Sequence, residues 1–336
     1  MYIVDSTQTT LTGFPSISDL ALLPGFTFTI TEDLGASLPV MSVDFNLNYI
    51  VVLATSLVRG TVVTLTFQGK VSDWILMHFS TPTPDTVNLL LVPNYQDYVD
   101  KAKQSYIKGT SLDAINQLTT INVQTNNVIT NDSQIWIQDN ICDREFVVST
   151  LLHSNMPDDH LLFATNIFGT LNIINYNTLI KTNTITIGGT NGDITNQYFT
   201  VEMLPVSLYL KANFTQYAVT ADGELDSYID SDTGAESNSF RVAIDCGNTY
   251  SGYWSSFNNN ISKYCNMMSV VYGVTNSRAN IIVSPLDVIK VLSYAGNDYN
   301  TKDAPSIVGN NFVVTKTITK RGTDNIVTQQ IWFGAI

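Results

Sequence analysis

Charge is scarce in this 336-residue chain: Asp, Glu, Lys and Arg together make up 13%, about half the usual share. What charge there is leans one way, with 29 acidic against 16 basic residues and a formal net charge of −13. That balance excludes a general phosphate-gripping surface, which needs clustered Lys and Arg. It does not exclude a conduit through which DNA passes without sticking, because acidic groups repel phosphate. Cysteine and histidine are equally rare, three of each. Cys142, Cys246 and Cys265 are odd in number and widely spaced, which fits reduced thiols better than a disulfide framework. No apolar run approaches the roughly 20 residues that span a bilayer, so no membrane contact is expected. The opening MYIVDSTQTT has no basic segment followed by an apolar one, so no secretory leader is expected.

Hydrophobic residues are plentiful at 44%, with 16 Tyr and 15 Phe, so the chain folds. Asn, Thr, Ser and Gln supply the polar surface that charge does not. The length implies two domains, or one with a large insertion. Over the first ninety residues apolar and polar side chains alternate. Phe26, Phe28 and Ile30 alternate with threonines, and Met41, Val43, Phe45, Leu47 and Tyr49 with Ser42, Asp44, Asn46 and Asn48. Val63, Leu65 and Phe67 repeat the pattern, and Trp74–Ser80 and Val87–Val92 flank a TPTPD turn. Period two indicates strands with one wet and one buried face. Several at close spacing predict a small antiparallel barrel or sandwich.

After Pro93 the period changes. Tyr95, Tyr98, Val99, Ala102 and Tyr106 fall at helical spacing and Gly109 closes the run. A second helix is expected over about Ser111–Leu118. A third is expected to be capped by Asn140, with Asp143 at its third position and Phe146, Val147, Thr150 and Leu151 on its inner face. Strands then resume around a tight bend at Gly169 and at about 184–187, 198–206, 208–215, 240–245 and 267–274. The acidic stretch near 221–239 lacks an apolar period and reads as a long exposed loop. A closing hairpin runs from Asn311 to Thr319 and from Ile326 to Phe333. The expected fold is therefore mainly β: two small antiparallel β-barrel domains, 1–93 and 161–336, with a helical insertion at 94–160.

Signatures of chemistry are missing. His78 lies in a strand, and His153 and His160 flank a helix end around Asp158 and Asp159; helix-stop chemistry explains them better than a metal site. Asp222, Glu224, Asp226, Asp230 and Asp232 do not follow the EF-hand spacing. Gly188–Gly192 has no following lysine and reads as a hairpin turn, not a phosphate cradle. Lys316, Lys320 and Arg321 form the densest basic cluster and read as a solvated turn. The triplets beginning at Asn131, Asn213 and Asn260 match glycan acceptors and, with no secretory leader expected, are expected to do so by chance. No catalytic, cofactor-binding or metal-ligating residue is assigned, and no enzyme is expected.

The order of elements carries more. A strand-rich start precedes a helix introduced by Trp136 and containing Arg144-Glu145-Phe146-Val147. A strand pair around Phe163, Gly169 and Leu171 follows. Pro285-Leu286-Asp287-Val288-Ile289 then leads to a hairpin with Phe312-Val313-Val314 and Ile331-Trp332-Phe333. This order resembles the baseplate hub of contractile-tail phages and the hub part of the related type VI secretion VgrG spike proteins. The resemblance implies a virion structural protein, assembled in the host cytoplasm, that forms a homotrimer. Its six barrels would make a ring adapting a hexameric tail tube to a central spike and lining the DNA conduit. No spike or lysozyme domain is recognisable, which departs from some members. The alternatives are another virion part (capsid, tail fibre or receptor-binding protein) or a carbohydrate-binding β protein using Tyr250, Tyr253 and Trp254.

Overall fold

Alternation settles the start of the chain into strands. The computed structural model describes residues 9–14, 23–48, 57–67, 69–125, 128–156, 160–179, 184–187, 199–202, 214–219, 225–228, 239–244, 256–257, 259–260, 271–277, 282–292 and 309–335. Strands β1 (Thr10–Thr12), β2 (Thr27–Asp33), β3 (Val40–Asn46), β4 (Val62–Phe67), β5 (Lys70–Thr83) and β6 (Thr86–Pro93) come first. Phe28 and Ile30, then Met41, Val43 and Phe45, then Val63, Leu65 and Phe67 are buried, while the polar residues between them keep some exposure. The strands pair antiparallel in the order β1-β4-β5-β6-β3-β2. With Trp74, Leu76, Val87, Leu89 and Leu91 their inner faces make one core.

The next segment departs from the helical expectation. It holds α1 (Gln96–Asp100), β7 (Lys103–Gly109), α2 (Ser111–Leu118), β8 (Asn122–Thr125), β9 (Gln134–Ile141) and α3 (Asp143–Leu152). The helix expected through Tyr106 stops at Asp100. Tyr98 is fully buried and its hydroxyl donates to the Ala36 carbonyl at 2.9 Å, but Tyr106 stands outward on β7. Ser105 and Ile107 alternate with Gln104, Tyr106 and Lys108, so a strand period fits equally well, and pairing with β9 decides it. The second helix forms as expected, capped reciprocally by Thr110 and Asp113. The third starts later than an Asn140 cap requires. Asn140 adopts φ 54, and the Cys142 N–H instead donates to the Glu145 carboxylate at 3.3 Å. Phe146, Val147, Thr150 and Leu151 are buried as expected. The 94–160 segment is thus mixed α/β.

Strand β10 (Leu161–Thr165), β11 (Thr170–Asn175), α4 (Tyr176–Leu179), β12 (Thr184–Ile187), β13 (Phe199–Glu202), β14 (Phe214–Val219), β15 (Leu225–Tyr228), β16 (Ser239–Ile244), β17 (Val271–Ser277), β18 (Val288–Val291), β19 (Asn311–Arg321) and β20 (Val327–Ala335) complete the order. Two expectations need correction. Residues 225–228 of the acidic stretch form β15, because β14 upstream offers a hydrogen-bonding edge that composition does not reveal; the rest of that stretch up to 238 lies outside the described residues. The sheets are also mixed rather than purely antiparallel: β8 with β11, β12 with β18 and β14 with β16 run parallel.

The bend at Gly169 is tightly seated. Its φ is +73, and an added Cβ would overlap the Tyr95 ring and lie 3.1 Å from the Pro93 Cβ. Gly169→Ala is expected to lose about 2 kcal/mol in denaturant unfolding, part from the left-handed backbone and part from the overlap.

The first and last segments share one 12-stranded sheet, running β1-β4-β5-β6-β3-β2-β19-β20-β17-β13, with β18 and β12 branching from β19. The join is β2 on β19, with Glu32 opposite Thr317. One edge of β19 serves two partners: residues 311–313 take β18, and residues 316–321 take β2. A bulge between Val314 and Lys316 divides them. Phe312 and Val314 enter one core with Ile331 and Phe333, while Val313 enters another with Leu162 and Leu286. Four consecutive buried residues, Phe312–Thr315, reflect this position between two cores.

Candidate functional site

Two features stand out. The first is the β7–β9 ribbon. Its inner row is anchored by Trp136, packed on Ala114 of α2 and Phe146 of α3, with the indole N–H donating to the Gly109 carbonyl at 3.1 Å. Asp143, fully buried at the start of α3, ties the ribbon down. It receives Lys103 Nζ at 2.7 Å, the Thr120 N–H and hydroxyl at 2.9 and 3.0 Å, and Gln138 Nε2 at 2.9 Å. The outer row is apolar in its middle: Tyr106 sits opposite Ile137, and Lys108 opposite Ile135. Tyr106 is 76%, Ile137 54% and Ile135 41% exposed. Clustered exposure of large apolar side chains marks contact surfaces.

The second feature is the seam between β2 and β19. Glu32 occupies the same inward row as Phe28 and Ile30, and it is fully buried. Its Oε1 accepts the Ile167 N–H at 3.0 Å and its Oε2 the Thr317 hydroxyl at 3.1 Å. Burial pushes its pKa up to about 8; the bonds from Thr317 and Ile167 oppose this, and the nearby Asp287 carboxyl adds to it. At neutral pH the group is mostly protonated. Beside it opens a cleft of about 380 Å³ lined by Phe67, Lys70, Phe168, Asn172, Pro285 and Asp287 among others. The Ser284 N–H donates to Asp287 at 2.7 Å, and burial raises that carboxyl's pKa as well. Leu286 next to it adopts φ 78, a left-handed backbone held by its N–H on the Val314 carbonyl at 3.0 Å.

The residues weighed from sequence go elsewhere. His78 is exposed on β5. His153 is buried, with Nδ1 2.7 Å from the Ser149 carbonyl oxygen and its ring 4.6 Å from that of Phe257. His160 is partly buried; Asp158 and Asp159 lie outside the described residues. Among the described residues no three His, Cys, Asp or Glu side chains are grouped to hold a metal ion. Asp226 falls within β15, while Asp222, Glu224, Asp230, Asp232, the Gly188–Gly192 turn, Tyr250, Tyr253 and Trp254 lie outside the described residues.

Of the basic cluster, Lys320 is exposed, but Arg321 is not solvated. Arg321 is buried, donates to the Phe26 carbonyl at 3.0 Å and to Asn325, and lies 4.9 Å from the Phe26 ring centre. Lys316 pairs with Asp33 at 3.1 Å. Of the glycan-acceptor triplets, Asn131 is exposed and Asn213 lies outside the described residues. The Asn260 amide is occupied, donating to the carbonyls of Leu152 and Ser154 at 3.0 and 2.9 Å. Cys142 is buried and free; Cys246 and Cys265 lie outside the described residues.

Sequence reasoning missed Glu32 and the role of Asp143. The first was readable, since TFTITED at period two places Glu32 in the inward row. The second was not, since Lys103, Thr120 and Gln138 meet only in three dimensions.

No family model matches this sequence, and no curated protein does. Solved structures do match. The 43 kDa tail protein of prophage MuSo2 from Shewanella oneidensis aligns over 97% of this chain and 97% of its own, with a TM-score of 0.57 at 12% identity. The fold is that of phage tail proteins. A tail protein from Neisseria meningitidis MC58 aligns over 97% and 96% of the two chains, with a TM-score of 0.59 at 11% identity. An Escherichia coli component of the type VI secretion system, described as structurally similar to the T4 bacteriophage tail proteins gp27 and gp5, covers 94% of this chain and 74% of its own, with a TM-score of 0.53 at 11% identity. At such identity the shared property is the tail-protein fold.

Proposed function

We propose that this chain is a structural, non-enzymatic component of a phage-type tail: a baseplate hub that forms a homotrimeric ring, contacts tail-tube and spike proteins, and lets DNA pass. The observation that carries this is the near end-to-end fold agreement with the Shewanella and Neisseria tail proteins. In this reading residues 1–93 and 161–336 supply two ring-forming β units, and 94–160 projects as an insertion. A net charge of −13 suits a lumen past which DNA must slide. Such an assembly resides in the virion after forming in the host cytoplasm.

Light scattering on the purified chain is expected to give the mass of three copies. A chain that stays monomeric at all concentrations and joins neither tube nor spike protein would overturn the hub. The exposed ribbon row is the proposed contact with neighbouring subunits. The double variant Tyr106→Ser, Ile137→Asp is expected to weaken association roughly tenfold or more. Its melting temperature should stay close to that of the parent, because both side chains are exposed. Unchanged association removes the ribbon from the interface without touching the hub assignment.

A further inference from the structure

We propose that the apolar row on the β7–β9 ribbon of one copy seats in the cleft between α1 and the outer face of β5 and β6 on the next copy. The inference rests on the homotrimer reading and names the two surfaces that close it.

The cleft has a volume of about 300 Å³. Ile75 of β5 and Val92 of β6 stand opposite each other and, with Val40 of β3, give it an apolar lining. Val99 and Asp100 of α1 and Arg144 of α3 line it too. Arg144 is partly buried and Asp100 exposed, and neither has an ion pair among the described residues. A guanidinium half withdrawn from water beside apolar groups favours an incoming carboxylate. A cavity of about 150 Å³ holds a benzene ring, so this cleft admits a phenol with space beside it.

The ribbon carries the matching pattern. Its outer face has three rungs: Gln104 with Asp139, Tyr106 with Ile137, and Lys108 with Ile135. An acid stands at one end, a base at the other and apolar groups between, all of them exposed. Asp139 and Lys108 also lack an ion pair among the described residues. Within one chain the two surfaces do not meet, since no outer residue of the ribbon lines the cleft and Tyr106 is 76% exposed. A second copy brings Asp139 to Arg144, Lys108 to Asp100, and the Tyr106 ring onto Ile75 and Val92. The aromatic anchor supplies most of the hold, and the charges set its orientation. Both surfaces are preorganised by one bond: Lys103, which starts β7, is tied at 2.7 Å to Asp143, the residue before Arg144. Because the two surfaces differ, the contact is head-to-tail, and a three-fold rotation closes it into a ring.

Light scattering on the intact chain over a dilution series reads the contact. Asp139→Arg and Arg144→Glu are each expected to weaken trimer formation about tenfold or more. The chain carrying both keeps the parent's net charge and should recover to within about threefold of it, because only facing residues rescue each other. Lys108→Glu with Asp100→Arg repeats the test on two exposed side chains, and it stands should Arg144→Glu fail to fold. A trimer that ignores both pairs, or single losses that the paired changes do not rescue, overturns the docking and leaves the hub reading in place. A parent that stops at dimers overturns it in favour of two ribbons packed face to face. A parent that is monomeric at every concentration overturns the hub reading as well.

Discussion

Asp143→Ala is expected to destabilise the protein by about 3–5 kcal/mol, the largest effect among single substitutions considered for this chain. The carboxylate is fully buried and gathers Lys103 of β7, Thr120 of the α2–β8 connection and Gln138 of β9 onto the first turn of α3. Removing it leaves the Lys103 ammonium, itself only 21% exposed, and the Thr120 N–H without their acceptor. Asp143→Asn keeps the shape and some hydrogen bonding but not the charge, so its loss should be smaller. Guanidinium unfolding of the two variants reads the difference. If both lie within about 1 kcal/mol of the parent, the ribbon is held by Trp136 packing and not by this carboxylate.

Glu32→Gln should do the opposite and stabilise the protein, by an amount set by pH. The folded chain holds the Glu32 proton to about pH 8, whereas the ordinary value is 4.5. Below pH 4.5 both folded and unfolded chains carry the proton, and its contribution to stability is fully present. As pH rises towards 8 the unfolded chain releases a proton that the folded chain must keep, so the parent loses stability across that window. The Gln variant does not. Its advantage should be near zero at pH 4, roughly 3 kcal/mol at pH 7, and level above pH 8. The Gln amide can accept from Ile167 and donate to the Thr317 hydroxyl, so both contacts survive. Denaturant midpoints at several pH values check this; a gap that does not widen from pH 4 to 8 means that Glu32 is not kept protonated.

The failures of sequence reading have two causes, a distant partner and a misleading composition. At 95–109 both periods were present, helical in Tyr95, Tyr98 and Val99, and two-fold in Gln104, Tyr106 and Lys108. A partner 30 residues onward, β9, chose between them. At 225–228 composition argued for a loop, yet β14 supplied an edge. Arg321 looked solvated beside a turn, but the Phe26 carbonyl and ring, which hold it, lie almost at the other end of the chain. For 95–109 and Arg321 the deciding contact is distant in sequence and no local pattern encodes it; for 225–228 it is the preceding strand, with Val219 opposite Leu225, and there composition misled.

By itself the sequence determined the mainly β class, the inward rows of β2, β3 and β4, the helix over 111–118, the bend at Gly169 and the closing hairpin. These follow from side-chain periodicity and turn chemistry, which act within a few residues. Only the tertiary structure decided that the first and last segments share one sheet, that three strand pairs run parallel, and that Glu32 lies under the 166–169 turn. Those are matters of pairing between distant segments. A strand's own pattern states which face it buries, but not which edge it meets.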